Sequence, residues 1–410
     1  MKLRKIKTLL CIAIVLCIVL CGCTLKEINR PSEVTTSEEA TSKAAAESSQ
    51  MEKQSEALTT EAVPEIEEDV VSDIMSAMTL REKICQMMFV TPESITGTDK
   101  VTVAGDATKQ ALEQYPVGGI VYFAENLESE EQTKEMIANS QSYSEIGLFI
   151  AVDEEGGMVN RVMNRLGTTY IDSMYMYKDE GPEKAYENAR TIATDIAALG
   201  FNVDFAPVAD VWSNPSNTVI GERAYSDDFA ESAALVEKAV KGFHDGGVMN
   251  SLKHFPGHGD TAEDSHEGSA YTYKTKDQIM DEEMQPFKAG IAAGADFVMV
   301  GHITASDIDD LPATLSYEIT TKLLRDELGF TGIAITDSMA MGSIVYNYGA
   351  GEAAAMAVKA GIDMILAPSD VEAAVSAIES AVENGEISED RIDESVRRIL
   401  TLKQQWGLLD

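Results

Sequence analysis

Three of the five histidines in the chain lie in one short segment that also contains a lysine and several carboxylates. The segment begins at Lys253 and ends at His266, and it reads KHFPGHGDT followed, two residues later, by DSH. Imidazole changes its charge near neutral pH, so histidines grouped with carboxylates indicate proton transfer or ligand binding. Pro256, Gly257 and Gly259 break regular structure, which predicts that these polar groups lie on a loop, where catalytic groups are often found.

Further polar residues follow other apolar runs that we predict to be strands. Asp153 begins the sequence DEEGG directly after such a run, and Arg161 comes eight residues later. His302 and Asp337 follow two further runs, and Gly221-Glu222-Arg223 lies in the loop after the fourth strand candidate. In a barrel of parallel strands, the carboxyl ends meet at one face and carry the active-site groups. The sequence therefore predicts one site, built from these residues and the histidine-rich segment.

The elements that position these residues alternate along the chain as short apolar runs and longer helical patterns. The strand candidates are 86–90, 118–123, 148–152, 202–206, 248–252, 297–300, 333–336 and 362–366. The helix candidates are 75–85, 183–199, 228–245, 276–293, 316–327, 350–360, 371–383 and 388–405. Near-continuous apolar strands alternating with helices indicate a parallel sheet covered on both faces. Eight of them predict an α/β fold, a (β/α)8 TIM-type barrel forming a single catalytic domain, with an open doubly wound sheet as the alternative.

Glycines punctuate this pattern where helices are predicted to end. The five positions are Gly200, Gly246, Gly294, Gly329 and Gly361, each just before a strand candidate, as expected of helix C-caps. The sequence has neither a Gly-x-Gly-x-x-Gly turn after a strand nor a phosphate-binding Gly-Lys-Ser/Thr loop. We therefore predict no nucleotide cofactor, and no cofactor of another kind is indicated.

The net charge of −37 is unusual, and most of it belongs to the part of the chain predicted to fold. Such a surface repels nucleic acid and anionic lipid, which argues against both as partners. Cys85 lies in an apolar context and is predicted to be a packed core residue rather than a nucleophile.

The N-terminus has the features of a targeting segment. A basic start is followed by an apolar run over residues 8–20 that is short for a membrane span. It ends in Leu20-Cys21-Gly22-Cys23, which resembles the bacterial lipoprotein processing box. We predict a signal peptide over 1–22, lipidation of Cys23, a disordered tether over 23–70 and a domain over 71–410. This places the domain outside the cytoplasm, lipid-anchored to the bacterial cell membrane; an uncleaved membrane anchor is the alternative.

The histidine-rich segment and its companions resemble the β-N-acetylglucosaminidase branch of glycoside hydrolase family 3. The resemblance rests on KHFPGHGDT with DSH, on VDEEGG, on GER and on TDSM, and it extends from the MTLREKI sequence to the closing helix at 396–408. It covers all of residues 71–410 and implies a glycosidase without a metal. Met158 departs from the family, which more often has arginine at this position.

The resemblance also implies roles for individual residues. Asp337 matches the family's nucleophile, which forms a covalent glycosyl-enzyme. His266, on a mobile loop and paired with Asp264, matches the acid/base that replaces the second carboxyl of most retaining glycosidases. The positions that match the family's sugar-binding residues are Asp153, Arg161, Arg223, Lys253 and His254. His258 and Asp260 are predicted to hold the loop in shape, and His302 to line the pocket or to be a satisfied buried histidine.

The implied substrate is an oligosaccharide with a terminal non-reducing N-acetylglucosamine, from the cell wall or of the chitin type. Several alternatives stay open. Phosphate could replace water as the acceptor, or the enzyme could prefer β-glucosides, although we expect no second sandwich domain after Trp406-Gly407-Leu408. A metal-dependent hydrolase using His254 and His258 is a third possibility, and a sugar-binding lipoprotein without turnover a fourth. The sequence does not indicate an oligomeric state.

Overall fold

The computed structural model describes residues 67–409. The predicted signal peptide, the lipidation site at Cys23 and the tether as far as residue 66 lie outside these residues. The first helix described, Glu67–Ala77, begins four residues before the predicted start of the domain at residue 71. Within residues 67–409, every helix is too short or too polar to span a bilayer.

Eight parallel strands form the central sheet. They are β1 (Met88–Val90), β2 (Gly119–Val121), β3 (Phe149–Val152), β4 (Val203–Asp204), β5 (Met249–Phe255), β6 (Phe297–Val300), β7 (Ile333–Thr336) and β8 (Ile365–Leu366). Each strand from β1 to β6 pairs with the next strand along the chain, and β8 pairs with β1. We call the junction between β7 and β8 the seam. The Thr336 amide donates to the Met364 carbonyl at 3.0 Å, which joins β7 to β8. The predicted (β/α)8 barrel is therefore confirmed.

Aromatic side chains fill the barrel interior. The ring centroids of Phe89 and Phe205 are 5.3 Å apart, as are those of Phe149 and Phe297. All four rings are inaccessible to solvent. Since β3 and β6 are not neighbours in the sheet, the contact between Phe149 and Phe297 crosses the interior. The barrel interior is thus a packed core, and it gives rigid support to the polar groups at the carboxyl ends of the strands.

Helices cover the outside of the barrel, and most agree with the predicted ranges. The α-helices are Glu67–Ala77, Leu80–Gln86, Pro92–Thr96, Asp106–Gln114, Glu130–Ser142, Val162–Leu166, Pro182–Ala197, Phe229–Asp245, Lys276–Asp281, Met284–Ala292, Gly342–Val345, Ala350–Ala360, Val371–Glu383 and Glu389–Gln405. A π-helix covers Glu318–Glu327. Short 3₁₀ segments lie at Ala124–Asn126, Met174–Glu180, Gly221–Arg223 and Ala313–Leu315.

Two helices that we predicted as continuous are each divided in two. The predicted helix at 75–85 is interrupted at Thr79, because the Thr79 hydroxyl accepts from the Glu82 amide and the Glu82 carboxylate accepts from the Thr79 amide. This reciprocal capping box starts a new helix. The predicted helix at 276–293 is interrupted at Glu282, whose backbone leaves the helical conformation. Gly246 is the C-cap of Phe229–Asp245, as predicted, but the residue with a positive φ at this helix end is Gly247.

The prediction that Lys253 and His254 lie on a loop is wrong. Strand β5 continues through both residues to Phe255, and its carbonyls at Lys253 and Phe255 accept from the amides of Ala209 and Gly301 at 2.7 and 2.8 Å. Backbone pairing on both sides therefore extends the strand to the residue before Pro256. The two polar side chains consequently project from the rigid barrel wall, and the loop begins after them.

Two small sheets add to the carboxyl face of the barrel. Ala270–Thr272 pairs in parallel with Ile303–Ala305, and Glu154–Gly156 pairs in antiparallel fashion with Val159–Asn160. The first sheet connects the segment after β5 to the segment after β6. Cys85 is a buried free thiol, as predicted, and burial raises its pKa to about 12.

A single buried carboxylate, Asp363, holds the seam between β7 and β8. It accepts from the Ala334 amide of β7 at 3.0 Å and pairs with the guanidinium of Arg325. Arg391 and Arg398 of the last helix approach it at 3.5 and 3.0 Å. Burial alone would raise the pKa of Asp363, but the three arginines keep it below its usual value. The seam and the last helix therefore share one ion-pair cluster.

Candidate active site

The predicted nucleophile Asp337 lies directly after β7, at the carboxyl end of the barrel. Its amide donates to the Val300 carbonyl of β6 at 2.9 Å, and its carboxylate accepts from the Ser338 amide at 2.7 Å. Burial acts to raise the pKa of Asp337, but the imidazoles of His254 and His302 and the Ser338 amide bring it below its usual value. The carboxylate is therefore ionised at neutral pH, as a nucleophile requires.

His302, after β6, is a buried histidine with both ring nitrogens satisfied. Its Nδ1 lies 2.8 Å from the Thr314 hydroxyl, and its Nε2 lies 2.9 Å from the Ser338 carbonyl oxygen. Burial lowers its pKa. Because a carbonyl oxygen only accepts, Nε2 carries the proton. His302 thus holds the backbone beside Asp337 in place.

Lys253 and its carboxylate partners form a dense ion-pair network in the same face. Its ammonium lies 2.8 Å from Asp153 and 2.6 Å from Glu155, and only 2% of the side chain is exposed. Arg223 binds Glu155 with two parallel hydrogen bonds of 2.9 and 2.8 Å and also donates to the Val219 carbonyl. Burial acts to raise the pKa of Glu155, but the two cations lower it to about 2. Asp153 remains partly exposed, so it is the member of the network that a ligand can reach.

His254 is oriented by a buried carboxylate, Asp210. One oxygen of Asp210 accepts from both the His254 amide and the His254 Nδ1, at 3.1 and 2.7 Å. The other oxygen accepts from the His258 amide at 2.6 Å. Burial would raise the pKa of Asp210, but these two histidines lower it. The pairing fixes the His254 ring, and its Nε2 has no hydrogen-bond partner among residues 67–409.

His258 and Asp260 shape the loop after β5. His258 is 2% exposed, and its ring nitrogens lie 2.7 Å from the Thr261 hydroxyl and 2.9 Å from the Ser265 hydroxyl. Burial lowers the pKa of His258. Asp260 accepts from the Thr272 hydroxyl at 3.0 Å, which ties the loop to the small sheet. These contacts match the structural roles predicted for both residues.

The loop presents Asp264 and His266 as a pair. A single Asp264 oxygen accepts from the His266 amide at 2.8 Å and lies 2.7 Å from its Nδ1. Burial acts to raise the pKa of Asp264, but the bonds from His266 keep it below its usual value. The His266 side chain is 60% exposed, so its Nε2 is accessible.

This loop docks on the segment that follows Asp337. The Gly342 amide donates to the His266 carbonyl at 3.1 Å, and the Ser343 amide donates to the Ser265 carbonyl at 3.3 Å. The His266 imidazole also contributes to the lowered pKa of Asp337. The structure thus brings the predicted acid/base pair and the predicted nucleophile into one site.

Arg161 joins the same face through Glu154. The buried Glu154 carboxylate accepts from the amides of Arg161, Val162 and Met163 at 2.6–3.0 Å, and so caps the short helix that begins there. The Arg161 guanidinium makes no hydrogen bond or ion pair with other residues in the range 67–409, and its buried Nε is unpartnered. Met158, the residue that departs from the family, lies three positions before Arg161 and is 57% exposed.

Sequence reasoning missed two residues that organise the site. Glu155 was part of the DEEGG motif but received no role, although it joins Lys253 to Arg223. Asp210 was not considered, although it orients both His254 and His258. A carboxylate a few residues after the fourth strand candidate was the available signal for Asp210. Among the residues described, no three or more His, Cys, Asp or Glu side chains are grouped as around a metal ion.

Comparison with known proteins finds related sequences that are named beta-hexosaminidases. Beta-hexosaminidase A of Pseudoalteromonas piscicida is 34% identical over 324 residues, which are 72% of this chain and 54% of that protein. Beta-hexosaminidase of Xylella fastidiosa (strain M23) is 35% identical over 238 residues, which are 57% of this chain and 70% of that protein. The chain thus spans about half the length of the first of these relatives.

Solved structures of similar fold include glycoside hydrolases of the same kind as the related sequences. A glycoside hydrolase family 3 beta-N-acetylglucosaminidase from Paenibacillus sp. str. FPU-7 superposes with a TM-score of 0.76 at 39% identity, over 81% of this chain and 63% of that one. LpqI of Mycobacterium tuberculosis superposes with a TM-score of 0.73 at 30% identity, over 81% of this chain and 96% of that one. The model of the Glycosyl hydrolase family 3 N terminal domain matches residues 79–402. Since that match covers most of the chain, and the barrel and its strand-end residues agree with it, the protein belongs to glycosyl hydrolase family 3.

Proposed function

We propose that this protein is a retaining exo-β-N-acetylglucosaminidase that removes terminal non-reducing N-acetylglucosamine from cell-wall or chitin-type oligosaccharides. The observation that carries the proposal is the docking of the Asp264–His266 pair on the segment after Asp337, through the Gly342–His266 hydrogen bond. An ionised carboxylate and an accessible imidazole on the same face of the barrel are the two groups that the reaction needs. The beta-hexosaminidase names of the relatives support the choice of sugar.

In the first step, the Asp337 carboxylate attacks the anomeric carbon and the bond from that carbon to the glycosidic oxygen breaks. Protonated His266 transfers its Nε2 proton to the departing oxygen, since its Nδ1 is held by Asp264. The products are a glycosyl ester on Asp337, a neutral His266 and the released alcohol. The negative Asp264 stabilises the imidazolium before transfer and fixes the tautomer after it.

In the second step, water attacks the same carbon. Neutral His266 takes a proton from that water at Nε2, and the bond between the carbon and Asp337 breaks, which restores the free carboxylate. Two displacements at one centre give a product with the configuration of the substrate. No further acid or base is required.

The remaining polar groups are suited to binding the terminal sugar. Asp153 accepts hydrogen bonds while its other contact, Lys253, holds it in place. His254 offers its free Nε2, and Arg161 offers a guanidinium that no other described residue engages. The Arg223 guanidinium is largely occupied by Glu155. Its role in sugar binding stays a prediction, and we expect Arg223 to act mainly by holding the ion-pair network in place. Buried, pre-oriented groups of this kind lose little entropy when a ligand binds.

We also propose that the protein is anchored to the cell membrane through its N-terminus. Lipidation at Cys23, after removal of residues 1–22, would anchor the domain to the cell membrane by a tether, outside the cytoplasm. An enzyme held there would meet cell-wall fragments and imported oligosaccharides. Mass spectrometry of the membrane-extracted protein tests this point, since a Cys23→Ser variant should lose the lipid and appear in the soluble fraction.

The activity is tested with chromogenic β-N-acetylglucosaminide and β-glucoside, each with and without phosphate. We expect the first substrate to be cleaved faster, phosphate to have no effect, and NMR to show the β-anomer of N-acetylglucosamine as the first product. Dominant β-glucoside cleavage would overturn the specificity, and a phosphate-dependent rate would redefine the acceptor.

A variant pair tests the assignment of the nucleophile. Asp337→Asn keeps the size of the side chain and its contact with the Ser338 amide but cannot form the ester, so turnover should be abolished. Asp245→Asn is the matched control, because Asp245 lies on the outer helices and binds only Tyr186 among its side-chain partners in the described chain. Undiminished hydrolysis by Asp337→Asn would sink the mechanism.

A further inference from the structure

Three tyrosine rings are exposed beside the loop that carries His266. Tyr273 is 77% exposed, Tyr346 is 75% exposed and Tyr271 is 37% exposed. The rings of Tyr271 and Tyr273 are stacked, with centroids 6.3 Å apart and planes 11° apart. We name these three residues the tyrosine rim. A group of exposed aromatic rings next to an active site is typical of a ligand-binding surface.

The tyrosine rim is continuous with the proposed acid/base. A Cβ atom added at Gly342 would lie 2.7 Å from the His266 carbonyl oxygen and 2.8 Å from Cε2 of the Tyr346 ring. Tyr346 therefore stands next to the point where the His266 loop docks. Tyr271 and Tyr273 follow the same loop in the chain, on and just after the small strand Ala270–Thr272.

A fourth tyrosine brings the two parts of the rim together. Tyr348, two residues after Tyr346, is partly buried, and burial raises its pKa with smaller contributions from Glu352 and Tyr271. Tyr271 is thus close enough to influence Tyr348, although it belongs to the segment after β5 rather than to the segment after β7. The backbone agrees, because the loop that is hydrogen-bonded to Gly342 and Ser343 at residues 265–266 runs directly into the strand Ala270–Thr272, so both parts of the rim adjoin the same loop.

Resting on the proposed function, we propose that the tyrosine rim binds the sugar units on the leaving-group side of the scissile bond. His266 gives its proton to the leaving oxygen, so the leaving group lies on the His266 side of that bond. Sugar units beyond it must extend outward past His266, where the rim lies. Tyrosine suits this task, since the ring packs on the apolar face of a sugar and the hydroxyl can bond to its polar edge.

The local charge indicates which saccharides fit. Residues 259–273 and 342–352 contain no lysine or arginine, and Lys274 and Lys276, just after Tyr273, are each paired with glutamates. The acidic residues in these two ranges are Asp260, Glu263, Asp264, Glu267 and Glu352. Such a surface repels an anionic leaving group. The preferred leaving group is therefore a neutral, chitin-type chain of N-acetylglucosamine rather than one that carries a carboxylate.

Kinetics with two substrates test the rim. Tyr273→Ala and Tyr346→Ala should each lower kcat/KM on a chitin trisaccharide by about threefold to tenfold, because one stacked ring is lost. Cleavage of a chromogenic β-N-acetylglucosaminide, whose leaving group ends at one small ring, should change far less. The matched control is Tyr186→Ala on the outer helix Pro182–Ala197, which should affect neither substrate. Equal losses on both substrates, or no loss on either, would overturn the inference.

Binding separates this inference from the proposed reaction. In an Asp337→Asn background, calorimetry compares the chitin trisaccharide with N-acetylglucosamine itself. Removal of Tyr273 and Tyr346 together should weaken trisaccharide binding by about tenfold and leave the monosaccharide unchanged. This measurement needs no turnover. Inactivity of the unaltered protein would therefore refute the proposed function, whereas unchanged trisaccharide binding would refute the rim.

Cleavage of neutral and anionic disaccharides tests whether the rim selects its ligand by charge. At low ionic strength, a disaccharide with neutral N-acetylglucosamine as leaving group should be cleaved faster than one whose leaving sugar carries a lactyl carboxylate. Added salt should narrow the difference, because exposed charges are screened. Faster cleavage of the anionic substrate would show that the rim does not select neutral chains.

Discussion

The buried lysine at the base of the barrel makes a stability prediction that can be worked out in numbers. Lys403 of the last helix is completely buried; its ammonium donates to Gln86 at 2.9 Å and lies 5.2 Å from the Phe149 ring centroid. No carboxylate in the described chain pairs with it. Burial lowers its pKa from 10.5 to about 7.

The sign follows from comparing proton binding in the two states. Between pH 7 and pH 10.5 the unfolded chain keeps the Lys403 proton and the folded chain releases it, so the folded state is penalised increasingly as the pH falls. One pKa unit corresponds to about 1.4 kcal/mol, which makes the full penalty about 5 kcal/mol, reached below pH 7. Between pH 9 and pH 6 the penalty grows by about 2.5 kcal/mol.

The perturbation is Lys403→Met, which fills similar space without a charge. The variant leaves the Gln86 carbonyl oxygen without this donor, a cost of about 1–3 kcal/mol that does not depend on pH. Urea unfolding, followed by circular dichroism from pH 6 to pH 9, measures the free energy of unfolding of both proteins. Relative to the variant, the unaltered protein should gain about 2.5 kcal/mol over this range.

An exposed lysine gives the control. Lys359→Met removes a surface ion pair with Glu386, and its effect on the free energy of unfolding should be small and nearly flat with pH. A difference between Lys403→Met and the unaltered protein that stays constant from pH 6 to pH 9 would refute the reasoning. It would mean that the ammonium keeps its charge in the folded state at no cost.

Three further predictions concern the site and the core. Asp264→Asn should lower kcat on unactivated oligosaccharides by about 100-fold or more while sparing substrates with good leaving groups, because His266 loses the carboxylate that supports its proton; equal losses on both would contradict this role. Glu155→Gln removes the carboxylate partner of the buried Arg223 and one of the two carboxylate partners of Lys253, so it should cost about 3–5 kcal/mol in urea unfolding. The exposed Glu237→Gln should cost little, and similar costs for both would argue against the network. Cys85 should resist alkylation in the folded protein and react only in urea, as read by peptide mass spectrometry, because burial raises its pKa to about 12; rapid labelling without urea would show that it is accessible.

Much of the site could be predicted because strand ends are visible in the sequence. Asp153, His302 and Asp337 each follow a continuous apolar run, and parallel strands in a barrel bring such positions to one face. The same rule predicted the barrel, since eight runs alternate with helices. The resemblance to a known family supplied the roles of the individual residues, which no spacing rule contains.

The partners of the predicted residues were harder to foresee. Glu155 meets Arg223 across 68 positions of the chain, and Asp210 meets His254 across 44. Whether a carboxylate caps a helix, orients a histidine or faces solvent depends on which cation arrives from a distant strand. Local sequence carries no record of that geometry. The error at Lys253 has a similar cause, because pairing with both neighbouring strands carried β5 further than its own residues indicated.

The ion-pair cluster at Asp363 has a consequence for the order in which the barrel can be completed during synthesis. Asp363 joins the β7–β8 seam to Arg391 and Arg398, which are made last among the residues that hold the seam. Closing the seam in a nascent chain that has emerged only through β8 would bury Asp363 with one of its three arginines, which is costly. The ring of strands should stay open on the ribosome until the final helix has emerged, so the catalytic face forms late and all at once.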